Sequence, residues 1–151
     1  MKHASIHLAD EAATVALGAS LAAGRPRLGV VHLLGDLGAG KTTLTRGFLQ
    51  AIGHRGAVKS PTYTLIEPYE IDSERVFHLD LYRVADPEEL EFIGLREFLE
   101  AGLLLVEWPE RGAGVLPDPG LVIRLSAEGE GRRADLEAVD PVWQERVQAI
   151  G

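Results

Sequence analysis

Residues 35–43 combine glycines, a lysine and hydroxyls in a spacing that suits the binding of nucleotide phosphates. The run GDLGAGKT, residues 35–42, fits the pattern G-x-x-x-x-G-K-[ST]. Its glycines allow consecutive backbone N–H groups to turn towards a phosphate, and a helix that begins after them adds positive potential. The ammonium of Lys41 then reaches β- and γ-phosphate oxygens, and the hydroxyl of Thr42 is a ligand for Mg²⁺. The segment is therefore predicted to be a phosphate-binding loop.

Two acidic residues stand where strand-like segments end, which is where phosphoryl-transfer sites keep their carboxylates. Asp80 lies near the end of the segment Val76–Tyr82, and Glu107 follows the run Leu103–Val106. In open α/β sheets, such strand ends lie beside the loop that binds phosphate. Either acid can bind Mg²⁺ while the other polarises a water molecule against the γ-phosphate. The residues alone do not assign the two roles.

A short polar loop, residues 59–64 (KSPTYT), follows the region expected to form the helix after the phosphate loop. Ser60, Thr62 and Thr64 each carry a hydroxyl that can sense a γ-phosphate or Mg²⁺ and become ordered when ATP binds. A plain turn around Pro61 explains the same residue types. Chemistry alone leaves both interpretations open.

Two ring-bearing residues lie next to the candidate acids. His78 precedes Asp80 by two positions, so both side chains share one strand face, and we expect His78 to support the site or the core rather than to catalyse. Trp108 follows Glu107 and is expected in the core, with an exposed anchor for a partner as the alternative. The other histidines have no metal-ligand spacing, which argues against a structural zinc site.

The phosphate loop needs a strand before it and a helix after it, and both patterns are present. Leu28–Leu34 is a nearly continuous apolar run, typical of a buried parallel strand. Behind the loop, apolar residues recur at helical spacing until Gly53. Further helices are predicted at 10–24, 86–98 and 142–150, and strands at 76–82, 103–106, 121–125 and 134–138. The segment 62–67 is predicted as a loop that runs into a strand. This alternation favours an α/β domain.

The composition excludes several classes of function. The 151 residues are 46% hydrophobic, which suits a single domain spanning residues 1–151. A net charge of −8 disfavours a dedicated nucleic-acid binder, including any DNA-binding protein. Since the chain has no cysteine, disulfides, thiolate metal sites and cysteine nucleophiles are excluded. Residues 1–10 lack a signal-peptide pattern and no apolar run approaches the roughly 18 residues that span a bilayer, so we expect a soluble cytoplasmic protein without membrane contact.

Several sequence blocks, taken in order, resemble the bacterial TsaE (YjeE) family of tRNA threonylcarbamoyladenosine biosynthesis. The blocks are residues 35–43 (GDLGAGKTT), 60–65 (SPTYTL), 78–83 (HLDLYR), 86–89 (DPEE) and 106–109 (VEWP). The resemblance implies a P-loop NTPase-like α/β fold of three layers, with a mixed central sheet flanked by helices. It implies a Mg²⁺-dependent ATPase, weakly active alone, that works with TsaB and TsaD by ATP-driven conformational cycling. That complex places a threonylcarbamoyl group on adenosine 37 of tRNAs that read codons beginning with adenine, so this chain would meet tRNA only indirectly and would not itself be the transferase.

The resemblance also assigns roles to individual positions of this chain. Mg²⁺ is assigned to Thr42 and Glu107, and the γ-phosphate or its attacking water to Asp80, which makes Lys41, Asp80 and Glu107 the implied catalytic residues. The segment with Ser60, Thr62 and Thr64 resembles the family's switch, and Trp108 becomes a candidate for the face that meets TsaD. The residues implied to bind ATP are Glu11, Leu37, Gly38, Ala39, Gly40, Lys41, Thr42, Thr43, Asp80 and Arg132.

Other classes of P-loop protein compete with the ATPase interpretation. A small-molecule kinase would use the same loop with a hydroxyl acceptor, and it would need an arginine-bearing lid, for which Arg111 in the long loop is available. A nucleotide-sensing assembly factor would bind ATP through Lys41, and it would keep its function without Asp80 because hydrolysis would be incidental. A GTPase with the usual guanine-reading N-K-x-D element is excluded, because the chain contains no asparagine.

Overall fold

The computed structural model describes residues 1–151, which form seven strands and five α-helices around a single sheet. The strands are β1 (Lys2–Leu8), β2 (Gly29–Leu34), β3 (Ile66–Ile71), β4 (Glu74–Asp80), β5 (Leu103–Glu107), β6 (Leu121–Glu128) and β7 (Gly131–Ala138). The helices are α1 (Glu11–Ala22), α2 (Lys41–Ala51), α3 (Glu89–Phe92), α4 (Leu95–Ala101) and α5 (Pro141–Ile150), with a 3₁₀ turn at Pro109–Gly112. None of the helices is both long and apolar enough to cross a membrane.

The sheet is mixed, with parallel strands at its centre. Its order is β1-β7-β6-β2-β5-β4-β3, and the neighbours from β6 to β4 run parallel to one another. Antiparallel strands extend it on both sides, β7 and β1 beyond β6 and β3 beyond β4. The carboxyl ends of β2, β4 and β5 consequently meet at one edge, where ligands bind in open α/β sheets.

Helices cover both faces of the sheet, which confirms the predicted α/β class and its layers. Alternate residues of β2 enter different cores because side chains of a strand point to opposite faces. Val31 and Leu33 belong to a cluster of 22 buried residues with α1, α2 and α5, whereas Val30 belongs to a cluster of 9 with α3 and α4. The strand that leads into the phosphate loop is therefore held from both sides.

Helices α1 and α2 pack with their backbones in contact. A Cβ atom added to Gly18 would lie 2.2 Å from the carbonyl oxygen of Leu44, and one added to Gly47 would lie 2.2 Å from that of Val15. Only glycine fits at these two positions, since real Cβ atoms do not approach an oxygen so closely. At the start of α1, Asp10 caps the helix as predicted and accepts from the Ala13 N–H at 2.8 Å. Helix α2, which begins at Lys41, is thus fixed against a capped helix.

The structure differs from the sequence prediction in three places. The segment 62–67 is predicted as a loop that runs into a strand, whereas β3 begins at Ile66 and continues through Pro68 to Ile71, since a proline is tolerated in an edge strand. No strand was expected before residue 10, yet β1 pairs with β7 along its whole length, so that Lys2 faces Ala138 and Leu8 faces Arg132. The single helix predicted over residues 86–98 is two short helices, because Gly94 lies between them with φ 84°, a left-handed conformation that interrupts the helix.

Candidate active site

The phosphate loop connects β2 to α2, in the strand-to-helix context that its sequence pattern requires. Gly40 is the residue before the helix and has φ 107°, a conformation that side chains rarely adopt. No side chain caps this end of the helix. Its first backbone N–H groups therefore remain free to donate to an anion, and the helix dipole favours negative charge there.

Lys41 projects from the first turn of α2 into a buried position. Its side chain is 4% exposed, and its Nζ donates to the carbonyl oxygen of Gly35 at 2.6 Å. The same Nζ lies 4.0 Å from Oε1 of Glu107 and 4.1 Å from the ring centroid of Trp108. Burial lowers the pKa of Lys41, while the carboxylates of Glu107 and Asp80 oppose that shift. The ammonium is consequently held inside the loop, close to where a phosphate would lie.

Asp80 and Glu107 come together because they are paired positions at the ends of neighbouring parallel strands. Both residues are 4% exposed. Oε2 of Glu107 lies 2.6 Å from Nε2 of His78 and 3.5 Å from the hydroxyl of Thr42. The two strand-end acids and the two phosphate-loop residues Lys41 and Thr42 thus surround one space, as the strand-end argument predicts.

The polar loop after α2 closes this space from the side of Asp80. The Thr62 hydroxyl donates to Oδ2 of Asp80 at 3.0 Å, and the backbone N–H of Tyr82 donates to Oδ1, also at 3.0 Å. Ser60 extends this hydrogen-bond network, since its hydroxyl lies 2.8 Å from that of Thr62. Thr64 does not reach Asp80, because its hydroxyl donates to Glu67 at 3.0 Å on the exposed side of the loop. Two of the three predicted switch hydroxyls therefore belong to the site.

These residues line a cavity of about 250 Å³, which we call the phosphate cavity. Every residue that lines it is among the candidate site residues named from the sequence. Its lining consists of Leu37, Gly38, Gly40, Lys41, Thr42, Thr43, Ser60, Thr62, Asp80 and Glu107. The phosphate loop, the polar loop and both strand-end acids therefore converge on one volume.

A second cavity of about 230 Å³, which we call the side cavity, adjoins the phosphate loop on its other flank. Glu11 and Arg132 both line it. Arg132 donates through Nε to the carbonyl oxygen of Ala39 at 3.3 Å and through Nη2 to that of Gly38 at 3.2 Å, so its guanidinium also holds the loop. Glu11 forms an ion pair with Arg46. The full lining is Leu8, Asp10, Glu11, Thr14, Gly38, Ala39, Gly40, Thr43, Glu130, Gly131 and Arg132.

Sequence patterns missed several residues of the side cavity. Leu8 ends β1, and Glu130 and Gly131 belong to the turn and first residue of the β6–β7 hairpin, so they reach the loop only through pairing between the two ends of the chain. Glycines on either side of Glu130 mark the hairpin turn, but nothing in the sequence indicates which loop the turn approaches. Asp10 was identified only as a helix cap.

Trp108 is only partly in the core, contrary to the expectation from its sequence position. Its backbone has φ 55°, a left-handed conformation between the end of β5 and the 3₁₀ turn at Pro109–Gly112. The half-buried ring packs against the smaller core cluster on one side and covers the Lys41 ammonium on another. The ring of Tyr82 lies against that of Trp108, with the ring centroids 5.0 Å apart. Arg111 is the arginine that a kinase lid would need, and its Cζ lies 5.7 Å from the ring centroid of Tyr82.

The donor atoms of the phosphate cavity fit Mg²⁺. They are the Thr42 hydroxyl and the carboxylates of Glu107 and Asp80, all hard oxygen ligands. No three histidine, cysteine, aspartate or glutamate side chains cluster into a complete metal cage. Mg²⁺ is usually bound through one or two carboxylates together with substrate phosphates and waters, so an incomplete set beside a phosphate loop suits it.

Comparison with known proteins agrees with this geometry. The model of the family "Threonylcarbamoyl adenosine biosynthesis protein TsaE" matches residues 8–134. The tRNA threonylcarbamoyladenosine biosynthesis protein TsaE of Haemophilus influenzae is 53% identical over 110 residues, covering 72% of this chain and 70% of that protein. The protein of the same name from Bacillus subtilis is 41% identical over 105 residues, covering 69% of this chain and 65% of that protein.

A solved structure extends the likeness to nearly all of the chain. The crystal structure of YdiB from Bacillus subtilis matches with a TM-score of 0.82 and 29% sequence identity, covering 99% of this chain and 97% of YdiB. The expected P-loop NTPase-like fold is thereby confirmed, and so is the resemblance that the sequence blocks indicated. The chain belongs to the TsaE family.

Proposed function

We propose that residues 1–151 form one Mg²⁺-dependent ATPase domain that acts in tRNA threonylcarbamoyladenosine biosynthesis. The observation that carries the proposal is the convergence of Lys41, Thr42, Asp80 and Glu107 on the phosphate cavity. The pathway comes from family membership, because the relatives from Haemophilus influenzae and Bacillus subtilis are named for it. Neither the geometry of the site nor family membership alone would suffice for this proposal, since phosphate loops occur in many families.

In this proposal the two cavities share one nucleotide. The β- and γ-phosphates occupy the phosphate cavity, where the first N–H groups of α2 donate to them and Lys41 exchanges the Gly35 carbonyl for a phosphate oxygen. The nucleoside extends along Gly38, Gly40 and Thr43, which line both cavities, into the side cavity. Glu11 and Arg132 then flank the nucleoside, and Arg132 keeps the loop carbonyls turned away from the phosphates.

Thr42 and Glu107 are the proposed Mg²⁺ ligands, and Asp80 is the proposed partner of the attacking water. When bound, Mg²⁺ neutralises charge that develops on the phosphate oxygens. Asp80 accepts a hydrogen bond from the water, which orients the water oxygen towards the γ-phosphorus. The γ-phosphoryl group is transferred to that water, which leaves ADP and inorganic phosphate. Asp80 can accept this bond and keep the one from the Thr62 hydroxyl, since an ionised carboxylate offers about four acceptor sites.

We further propose that TsaB and TsaD are the partners and that they accelerate a slow intrinsic hydrolysis. Trp108 and Tyr82 support this because they form a partly exposed aromatic pair, in which the Trp108 ring covers the Lys41 ammonium. Aromatic residues of this kind are frequent anchors at interfaces. A partner that contacts Trp108 would reach the active site through one side chain. In such a scheme ATP hydrolysis drives a conformational cycle, and the transfer to tRNA takes place on the partners.

The experiment that tests the proposal measures Mg²⁺-dependent phosphate release from ATP, by the chain alone and with TsaB and TsaD. We expect slow release alone and faster release with the partners. Asp80→Asn and Glu107→Gln should each lower turnover by about 100-fold or more, because each removes electrostatic stabilisation from the transition state. The matched control is Glu97→Gln, which removes an exposed carboxylate in the first turn of α4. Wild-type hydrolysis in both site variants would refute the assigned acids.

The partner assignment has a separate test. Trp108→Ala should weaken binding to the TsaB–TsaD complex, measured by calorimetry, while Trp108→Phe retains most of the affinity because it keeps an aromatic face. Unchanged affinity in a folded Trp108→Ala protein would show that this side chain is not an anchor. If neither partner binds or changes the wild-type rate, the proposed role of this chain in their cycle is wrong.

A further inference from the structure

His78 is fully buried on β4, and its ring forms one hydrogen bond, to the side chain of Glu107. Its Nε2 lies 2.6 Å from Oε2 of Glu107, while its buried Nδ1 has no hydrogen-bond partner. Since an ionised carboxylate can only accept, Nε2 carries the ring proton and donates it.

This bond is the shortest of three contacts that determine where the Glu107 carboxylate points. Thr42 lies 3.5 Å from Oε2, and the Lys41 ammonium lies 4.0 Å from Oε1. Without a donor at His78, the ammonium would be the strongest attraction on a carboxylate that sits at the free end of a strand. With it, Oε2 stays beside the Thr42 hydroxyl, the other oxygen donor of the proposed Mg²⁺ site.

We propose that His78 is a positioning residue, whose Nε2–H aims the Glu107 carboxylate at the cation beside Thr42. The imidazole N–H suits this task because one short hydrogen bond is enough to orient the carboxylate. A lysine or arginine at this position would also orient Glu107, but it would compete with the cation for the same charge. The inference rests on the proposed function, since it takes Glu107 as a metal ligand. Partners that orient a metal ligand in this way contribute substantially to metal affinity in other proteins.

The test compares two replacements of His78 that differ in one donor. In His78→Gln the amide nitrogen is as many bonds from Cα as Nε2 of histidine, so the donor to Glu107 is retained. In His78→Leu the volume is similar but the donor is lost. The measurement is the affinity of Mn²⁺ for the complex of the chain with ADP, followed by the electron paramagnetic resonance of free Mn²⁺. ADP affinity without metal is measured in parallel by calorimetry.

We expect His78→Leu to weaken Mn²⁺ binding by about 10–100-fold, the range found when such orienting partners are removed. His78→Gln should stay within about threefold of wild type. ADP affinity without metal should be unchanged in both, a pattern that general destabilisation of the core would not produce. Wild-type Mn²⁺ binding by His78→Leu would overturn the inference, and so would an equal loss in His78→Gln. If His78→Leu does not fold, His78→Asn replaces it, because its amide reaches only the position of Nδ1.

Glu107→Gln separates this inference from the proposed function. If Glu107→Gln binds Mn²⁺ as wild type does, the metal role of Glu107 is wrong and the role of His78 falls with it. If Glu107→Gln loses Mn²⁺ but His78→Leu does not, the metal role stands and only the positioning role is overturned. Loss of Mn²⁺ in both, with recovery in His78→Gln, is the expected result.

Discussion

Lys41 already makes, within the protein, the kinds of contact that a phosphate would offer it. Its ammonium has one short hydrogen bond to Gly35, a carboxylate of Glu107 at 4.0 Å and the face of Trp108 at 4.1 Å. Burial lowers its pKa, which means that the charged form lacks part of the solvation it has in water. A dianionic phosphate in the same cavity would supply that missing stabilisation. Nucleotide binding and the electrostatic cost of burying Lys41 are therefore coupled.

Replacing Lys41 by methionine should abolish nucleotide binding in practice. The substitution keeps the apolar stem and removes the ammonium, which contributes charge-assisted hydrogen bonds to the phosphates. We expect ATP affinity to fall by about 100-fold, corresponding to about 3 kcal/mol. Calorimetric titration with ATP measures this, and Lys2→Met, at an exposed position of β1, is the matched control. Micromolar ATP affinity in Lys41→Met would remove the phosphate loop from the proposed site.

Residue types and spacing were sufficient to predict which side chains meet in the phosphate cavity. Lys41 and Thr42 follow from the loop pattern, and Asp80 and Glu107 follow because parallel strands end at a shared edge. Which hydroxyls of the polar loop face the cavity could not be predicted. Thr62 and Thr64 have the same side chain two positions apart, and only the folded loop decides that the first faces Asp80 and the second faces Glu67.

At the scale of elements, the errors arose where tertiary contacts decide the conformation. Strand β1 does alternate, with Ala4, Ile6 and Leu8 turned inwards, but most of its residues are exposed and its pairing partner lies at the other end of the chain. In the same way, the apolar spacing from Leu90 to Phe98 is helical overall and hides the break at Gly94. Local patterns describe burial well, whereas breaks and distant pairings depend on the rest of the fold.

The polar loop of residues 59–64 should matter for turnover more than for binding. Thr62 donates to Asp80, so Thr62→Val removes one hydroxyl from the candidate site at almost unchanged shape. We expect ATP hydrolysis to fall by about tenfold, the effect of losing one hydrogen bond of about 1.4 kcal/mol, with ATP affinity nearly unchanged. Thr64→Val is a matched control, because its hydroxyl donates to Glu67 outside the cavity. Equal rates for both variants would show that the loop is a plain turn.

An ion pair connects the segment that follows α1 to the β3–β4 hairpin. Arg25 donates to both carboxylate oxygens of Glu74, at 2.7 and 2.8 Å, and its Nη1 also donates to the carbonyl oxygen of Ala22. The Arg25 and Glu74 side chains are 26% and 21% exposed. The hydrogen bond from Arg25 lowers the pKa of Glu74 below its usual 4.5, an effect that burial partly opposes. A group with a lowered folded-state pKa stabilises the protein above its unfolded pKa and loses that contribution as the pH falls.

Glu74→Gln should therefore destabilise the protein in a pH-dependent way. At pH 7 we expect the free energy of unfolding to fall by about 1–2 kcal/mol. The difference from wild type should be constant above about pH 5 and shrink as the pH falls below 4.5, towards the lowered pKa of Glu74 in the folded protein. Denaturant unfolding at a series of pH values measures it. Glu70→Gln, which breaks the exposed pair with Arg75, should show almost no effect. A pH-independent difference in Glu74→Gln would contradict this explanation.

At the scale of the whole molecule, the fold joins two differently built halves at the proposed nucleotide site. Parallel strands β2, β5 and β4 contribute the phosphate loop and both acids, whereas β1 and the β6–β7 hairpin supply residues of the side cavity. Arg132 connects the halves, because it starts from the hairpin and holds the carbonyls of Gly38 and Ala39. A nucleotide in both cavities would thus contact both halves of the sheet.

The overall charge bears on whether this chain can bind tRNA directly. With 23 acidic and 15 basic residues, it carries a net charge of −8, and binding to a polyanion requires cationic side chains that release counterions. We expect the isolated chain to bind tRNA more weakly than about 10⁻⁴ M at physiological salt, which is the weak limit of non-specific binding by true nucleic-acid binders. Filter binding with labelled tRNA measures this, with and without TsaB and TsaD, and retention should appear only with the partners. Micromolar binding by the chain alone, weakening steeply with salt, would show a local basic surface strong enough to outweigh the net charge, and tRNA would then be a direct ligand.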